Sequence, residues 1–179
     1  MSSGPLPNSY TIPDTHLIAG EYPGAIDSAD AKRRLATLLD AGVQTFVDLT
    51  TPDDGLIPYD SILRQLPLGS LTERVHMPIP DLRVCGDHQM RRILDAIDSA
   101  LDTGQTVYVH CWGGVGRTGT VIGCWLVRHG RNGEEALKEV QLLYGSMSDA
   151  KRRKHPRSPE TEAQRRMIAR WQTVECAPT

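Results

Sequence analysis

Aromatic residues are scarce, at 5% of the 179-residue chain, with a single phenylalanine. The core must therefore be built on aliphatic side chains. Long apolar runs are missing too: none approaches the roughly 20 residues that cross a bilayer. The opening MSSGPLPNSY carries neither the basic stretch nor the apolar stretch of a secretory signal. Cysteine is sparse, and Cys85, Cys111, Cys124 and Cys176 stand far apart with no C-x-x-C pair. Neither a zinc site nor a disulfide framework is indicated. Reduced thiols and a cytoplasmic location are the expectation. Neither sign of charge dominates, since 20 Lys and Arg face 22 Asp and Glu for a formal net charge of -2. The chain as a whole has no pull on nucleic acid or an anionic membrane. Any affinity for anions must come from a local site.

The pattern that remains is that of one α/β domain. Residues 1–9, rich in Ser, Pro, Gly and Asn, read as a loose tail, and residues 10–175 as a single domain. YTIPDTHLIAGEYPG, VQTFVDLT, ERVHMPIPD and QTVYVH read as strand segments. Between and after them, DSADAKRRLATLLDAG, GDHQMRRILDAIDSALDTG, RTGTVIGCWLVRHG and NGEEALKEVQLLYG have helical apolar spacing. Residues 60–66 suggest a short helix. KRRKHPR reads as a basic connector or, alternatively, as a run that favours acidic substrates near a site, and SPETEAQRRMIARWQ as a last helix with Ser158 as N-cap and Pro159 in its first turn. Strands alternating with helices predict a mostly parallel central sheet, with ligands at the carboxyl ends of its strands.

One stretch sits at such an end: VYVHCWGGVGRTGTVIG, Val107 to Gly123. Gly113, Gly114 and Gly116 allow a tight turn that leaves backbone N–H groups unobstructed, which makes an anion-binding nest. The helix beginning near Arg117 adds its positive N-terminal end. Arg117 adds a planar fork suited to two phosphate oxygens. The same donors favour the thiolate of Cys111. The loop therefore predicts a bound phosphate with a sulfur nucleophile against it. Trp112, Gly113, Gly114, Val115 and Gly116 supply backbone N–H groups, with the Trp112 ring expected to point into the core or onto a neighbour. Thr118 is placed to donate to the sulfur, and His110 to buttress the loop. The Gly-Lys-Ser/Thr ending of nucleotide-binding loops is absent.

His110-Cys111-x5-Arg117-Thr118 resembles the signature of cysteine-dependent protein tyrosine phosphatases, and HCWGGVGRTGT is similar to their small dual-specificity and atypical members. The resemblance in the order of elements runs from about Thr11 to Trp171. It implies a sheet of about four to five strands flanked by helices, a phosphocysteine intermediate, and no metal or organic cofactor. It also implies a general acid on a loop upstream of the cysteine, where MPIPDLRV offers Asp81. Asp53, Asp54 and Asp87 are rivals, read as turn or cap residues. Gln164 matches a glutamine that can position the hydrolytic water, or is a plain surface residue.

Tyr59 is left between pocket and packing roles. Cys85, just beyond Asp81, and Cys124 raise a redox link to Cys111. The loop between Cys111 and Arg117 has no lysine or arginine. Members of the resembled family that act on inositol phospholipids tend to carry lysines there, so the resemblance implies a phosphorylated protein or peptide, at phosphotyrosine or with dual specificity, over a polyphosphorylated lipid. A phosphoinositide or small-molecule phosphatase, and a module that binds phosphate without turnover, are the alternatives. Oligomeric state is not readable.

Overall fold

Asp27 opens the first long helix by accepting a hydrogen bond from the Asp30 N–H at 2.8 Å. That helix, α1 (Ser28–Asp40), buries Leu35, Leu38 and Leu39 and ends before Gly42, whose φ is +86°. Such local rules set most of the remaining elements. The computed structural model describes residues 3–171, which hold β1 (Ser9–Thr11), β2 (Leu17–Gly20), β3 (Val43–Asp48), α2 (Asp60–Leu63), β4 (Glu73–His76) and α3 (Asp87–Asp102). These are followed by β5 (Thr106–His110), α4 (Gly116–Arg128), α5 (Gly133–Tyr144), α6 (Asp149–Lys154) and α7 (Glu162–Arg170).

The five strands form one sheet in the order β1-β2-β5-β3-β4. All neighbours are parallel except β1 and β2. This is the α/β architecture expected, with β5 at the centre. Helices on one face seal a core of Leu17, Val47, Ile93, Ile97, Val107, Val109 and Ile122. A second cluster, with Leu35, Leu38, Phe46 and Tyr108, lies under α1. Among the described residues, no helix is long and apolar enough to cross a membrane.

Three expectations need correction. The N-terminal segment is not loose from residue 3 onward. Leu6 is buried, Ser3 bridges Tyr10, and Ser148 is held by both the Pro7 carbonyl and the Asn8 side chain. The last helix begins at Glu162, with Thr161 and not Ser158 as N-cap, because Gln164 completes a capping box with Thr161. Ser158 instead turns its hydroxyl to the Val115 carbonyl at 2.8 Å. The basic run is not a connector: residues 149–154 form α6, capped by Ser148. Cys176 and the end of the 10–175 boundary lie outside the described residues.

Candidate active site

β5 is buried from Val107 to its last residue, His110, and Cys111 follows directly, so the central strand delivers the thiol to the carboxyl edge of the sheet. The chain then folds back sharply. Gly114 takes φ +71°, and a Cβ there would lie 2.5 Å from the Gly20 carbonyl carbon and 2.7 Å from the Glu21 nitrogen. Only glycine allows the loop to seat against the end of β2. The Tyr22 N–H binds the Trp112 carbonyl at 2.9 Å and fixes the other side. The Gly114 N–H points back to Cys111 Sγ at 3.3 Å. Among the described residues, nothing accepts a hydrogen bond from the amides of Trp112, Gly113 or Val115. α4 then starts at Gly116 and adds further unpaired N–H groups.

Arg117 is 2% exposed, and two carboxylates hold its guanidinium. Nη1 and Nη2 donate to the two oxygens of Asp54 at 2.8 and 3.0 Å, and Nη1 also donates to the Ile79 carbonyl at 3.1 Å. Nη2 lies 3.0 Å from Asp81 Oδ1. Burial works against the charge on Arg117, but Asp54, Cys111 and Asp81 outweigh it and keep the guanidinium protonated. Burial likewise opposes ionisation of Asp54, and hydrogen bonds from Arg117 and Thr51 hold its carboxyl below the usual range. Among the described residues, two buried polar atoms here lack any partner: Arg117 Nε and Thr118 Oγ1. A buried donor left unmade costs about 1–3 kcal/mol. An anion in the loop would relieve that cost.

Asp81 follows Ile79 and Pro80 on the loop between β4 and α3, and its side chain is half exposed. Leu82 beside it has φ +58°. A cleft of about 260 Å³ brings Asp81 together with Cys111, Trp112, Gly113, Val115 and Gly116. Glu21, Leu82, Lys151, Lys154, His155 and Glu160 complete its wall. A larger apolar cleft, about 1000 Å³ between Pro13, Arg131 and Leu142, shares no residue with this one and contains no thiol.

The Trp112 ring points to solvent and not inward, being 54% exposed at the rim. The loop is too tightly seated against Gly20 and Glu21 to admit an indole beneath it. His110 is buried, and its Nε2 meets the Tyr59 hydroxyl at 2.9 Å. Burial depresses its pKa to about 4 against the pull of Asp48, so it stays neutral. Tyr59 thus packs below the loop and does not line the cleft. Gln164 is fully buried behind Gly116. Its Oε1 accepts from the Glu160 and Thr161 amides, and Nε2 donates to the Arg83 carbonyl at 3.3 Å. It joins α7 to the loop of Asp81. Asp87 is the first residue of α3 and pairs with Arg170 on the surface. Burial pushes the Cys85 thiol up to about 11.

Sequence reasoning passed over Asp54 as a turn residue. It is one, closing the turn at Pro52–Asp54, but it also holds Arg117 from 63 positions away. The available signal was its position beyond the carboxyl end of β3, the strand beside β5.

A family model described as "Tc-R-P: Polymorphic toxin system, DSP-PTPase phosphatase" matches residues 21–131. Tk-PTP in its active form is 26% identical, with a TM-score of 0.65 over 88% of this chain and 95% of that one. P. aeruginosa TpbA in complex with pTyr is 22% identical, with a TM-score of 0.61 over 95% of each chain. PTPMT1 in complex with PI(5)P is 18% identical, with a TM-score of 0.67 over 91% of this chain and 93% of that one. The last two speak to the fold alone.

Proposed function

The chain belongs to the Tc-R-P family of DSP-PTPase phosphatases, and from that premise we propose that it hydrolyses phosphomonoesters of phosphoproteins, at phosphotyrosine or with dual specificity, through a phosphocysteine intermediate. The observation that carries this reading is the set of unsatisfied donors around Cys111: the free loop amides, Arg117 Nε and Thr118 Oγ1. They fit a phosphate dianion seated on the sulfur.

The Cys111 thiolate attacks phosphorus, an S–P bond forms, and the ester P–O bond breaks. Asp81 gives its proton to the departing oxygen. The Asp81 carboxylate then takes a proton from water as that water attacks the phosphocysteine. The S–P bond breaks, the Thr118 hydroxyl stabilises the returning thiolate, and inorganic phosphate leaves. Gln164 contributes by holding the backbone of the acid loop at Arg83, since its own polar groups are largely engaged. The loop's lack of lysine and arginine supports a phosphoprotein substrate. The location proposed is cytoplasmic.

The test is turnover of p-nitrophenyl phosphate and of a phosphotyrosine peptide. Cys111→Ser abolishes both while still binding the peptide; residual turnover above about 1% would remove the sulfur from the mechanism. Vanadate inhibits the wild type. A protein that binds the peptide but never releases phosphate is a binding module, and this reading is then wrong.

A further inference from the structure

The basic segment at 151–154 forms one wall of the cleft, and its charges are unequally engaged. Lys151 Nζ pairs with Glu21 Oε2 at 2.9 Å, and Glu21 is also held by Arg34 at 3.1 Å and Asn8 at 3.0 Å. His155 Nδ1 meets Glu160 at 2.8 Å. Arg117 is taken by Asp54 and Asp81. Among the described residues, Lys154 is the only charged group lining the cleft that has no ion-pair partner. Its backbone is fixed: Ser148 caps α6 and binds Asn8 at 2.7 Å, and the Tyr144 hydroxyl binds the His155 carbonyl at 2.6 Å. The cleft also has apolar lining. Trp112 and Leu82, each about half exposed, supply it. An adjoining cleft continues that surface from Trp112 to Ile57 and Ile26.

We propose that Lys154 is a specificity-determining residue that receives an acidic group adjacent to the phosphorylated residue of a peptide substrate, in a cleft also lined by the exposed apolar surfaces of Trp112 and Leu82. The proposal rests on the phosphatase reading above and names its substrate class. A strongly hydrated ammonium without a partner, carried by a fixed backbone beside a phosphate cradle, attracts a second anion on the same molecule. A peptide supplies an acidic side chain on one flank and an apolar one on the other. An anionic membrane is recognised by clusters of roughly 4–8 free cations. Here Lys151 and Arg152 are already paired, with Glu21 and Asp149.

The experiment compares two phosphotyrosine peptides that differ only in Glu or Gln at the positions flanking the phosphoresidue. The wild type is expected to favour the Glu peptide by about 10-fold in kcat/KM, carried by KM and shrinking at high salt. Lys154→Met brings that ratio to about one, and Lys154→Arg restores it. Lys154→Glu favours a peptide with Lys in the same flanks. Equal use of the two peptides by the wild type overturns the proposal, as does an equal loss on both in Lys154→Met. Preferential hydrolysis of phosphoinositide in mixed vesicles, lost in Lys154→Met, overturns it in favour of a lipid headgroup. Failure of the wild type on p-nitrophenyl phosphate as well would overturn the phosphatase reading itself.

Discussion

Arg117 meets two carboxylates before it meets any substrate, and the two are not alike. Asp54 is 3% exposed and grips both Nη atoms, whereas Asp81 is 51% exposed and touches only Nη2. In the proposed mechanism Asp54 positions Arg117 and Asp81 serves the leaving group. Removing one partner of a buried pair costs about 3–5 kcal/mol, but asparagine keeps one acceptor. The loss in Asp54→Asn should therefore fall near 1.4–2.8 kcal/mol of transition-state binding, or roughly 10- to 100-fold in kcat/KM. It should be equal for aryl esters with good and poor leaving groups, and vanadate should bind more weakly. Asp81→Asn should instead slow the ester with the poor leaving group far more than the good one. Steady-state kinetics with the two esters separate the roles. A leaving-group dependence in Asp54→Asn would make it the acid.

At the scale of elements, α4 is the member the others are fitted to. It is buried from Gly116 to Val127, and it starts at the end of the glycine loop that follows Cys111. Gly119 and Gly123 stand one turn apart, and the segment 158–168 seats directly on them. A Cβ at Gly123 would lie 2.2 Å from Ile168 Cδ1 and 2.7 Å from its Cγ1. Gly123→Ala should thus push α7 outward and cost about 1–3 kcal/mol of stability. Urea unfolding would report it as a lower midpoint with an unchanged slope. Because Gln164 of α7 holds Arg83, the same change should also weaken turnover of poor leaving groups. A variant as stable as the wild type would mean α7 is not tightly seated.

This level was largely legible in the sequence. The apolar spacing of α1, α3, α4 and α5 and the glycine turn after β5 are local patterns. What was hidden depends on contacts between distant positions. The pairing of Asp54 with Arg117 shows only once β3 lies beside β5, and KRRK allowed a role near acidic substrates without showing which of its residues reaches the cleft. The Trp112 ring was expected in the core or against a neighbour, but the crowding at Gly20 and Glu21 is visible only once β2 lies beside β5. Thr161 was passed over because Ser-Pro is the stronger local start signal, until the Val115 carbonyl claims Ser158.

Across the whole molecule, a buried polar network ties three strands together beneath the loop. Asp48 of β3 accepts from Thr50 at 2.6 Å and from Arg74 Nε of β4 at 2.9 Å. Arg74 reaches on to Asp60 at the start of α2 at 2.9 Å. His110 of β5 sits in this network, 3.8 Å from Asp48, with Tyr59 on its other nitrogen. Its pKa falls from 6.5 to about 4 because burial penalises the cation more than Asp48 favours it. The unfolded chain therefore takes up a proton between those values that the folded chain refuses. Stability is complete above about pH 6.5 and declines as pH falls toward 4. At 1.36 kcal/mol per unit, the full loss is about 3 kcal/mol. Asp54 adds a separate loss lower down, below the ordinary carboxylate value of 3.8, since its own pKa is depressed. Urea unfolding of the wild type and of His110→Gln from pH 7.5 to 4 tests this. The variant should be less stable at pH 7.5 and should show a flatter slope between 6.5 and 4. Parallel slopes would mean that His110 takes its proton as readily in the folded chain as in the unfolded one. The network under the cradle would then be charged, and Cys111 would lie above a cation instead of a neutral ring.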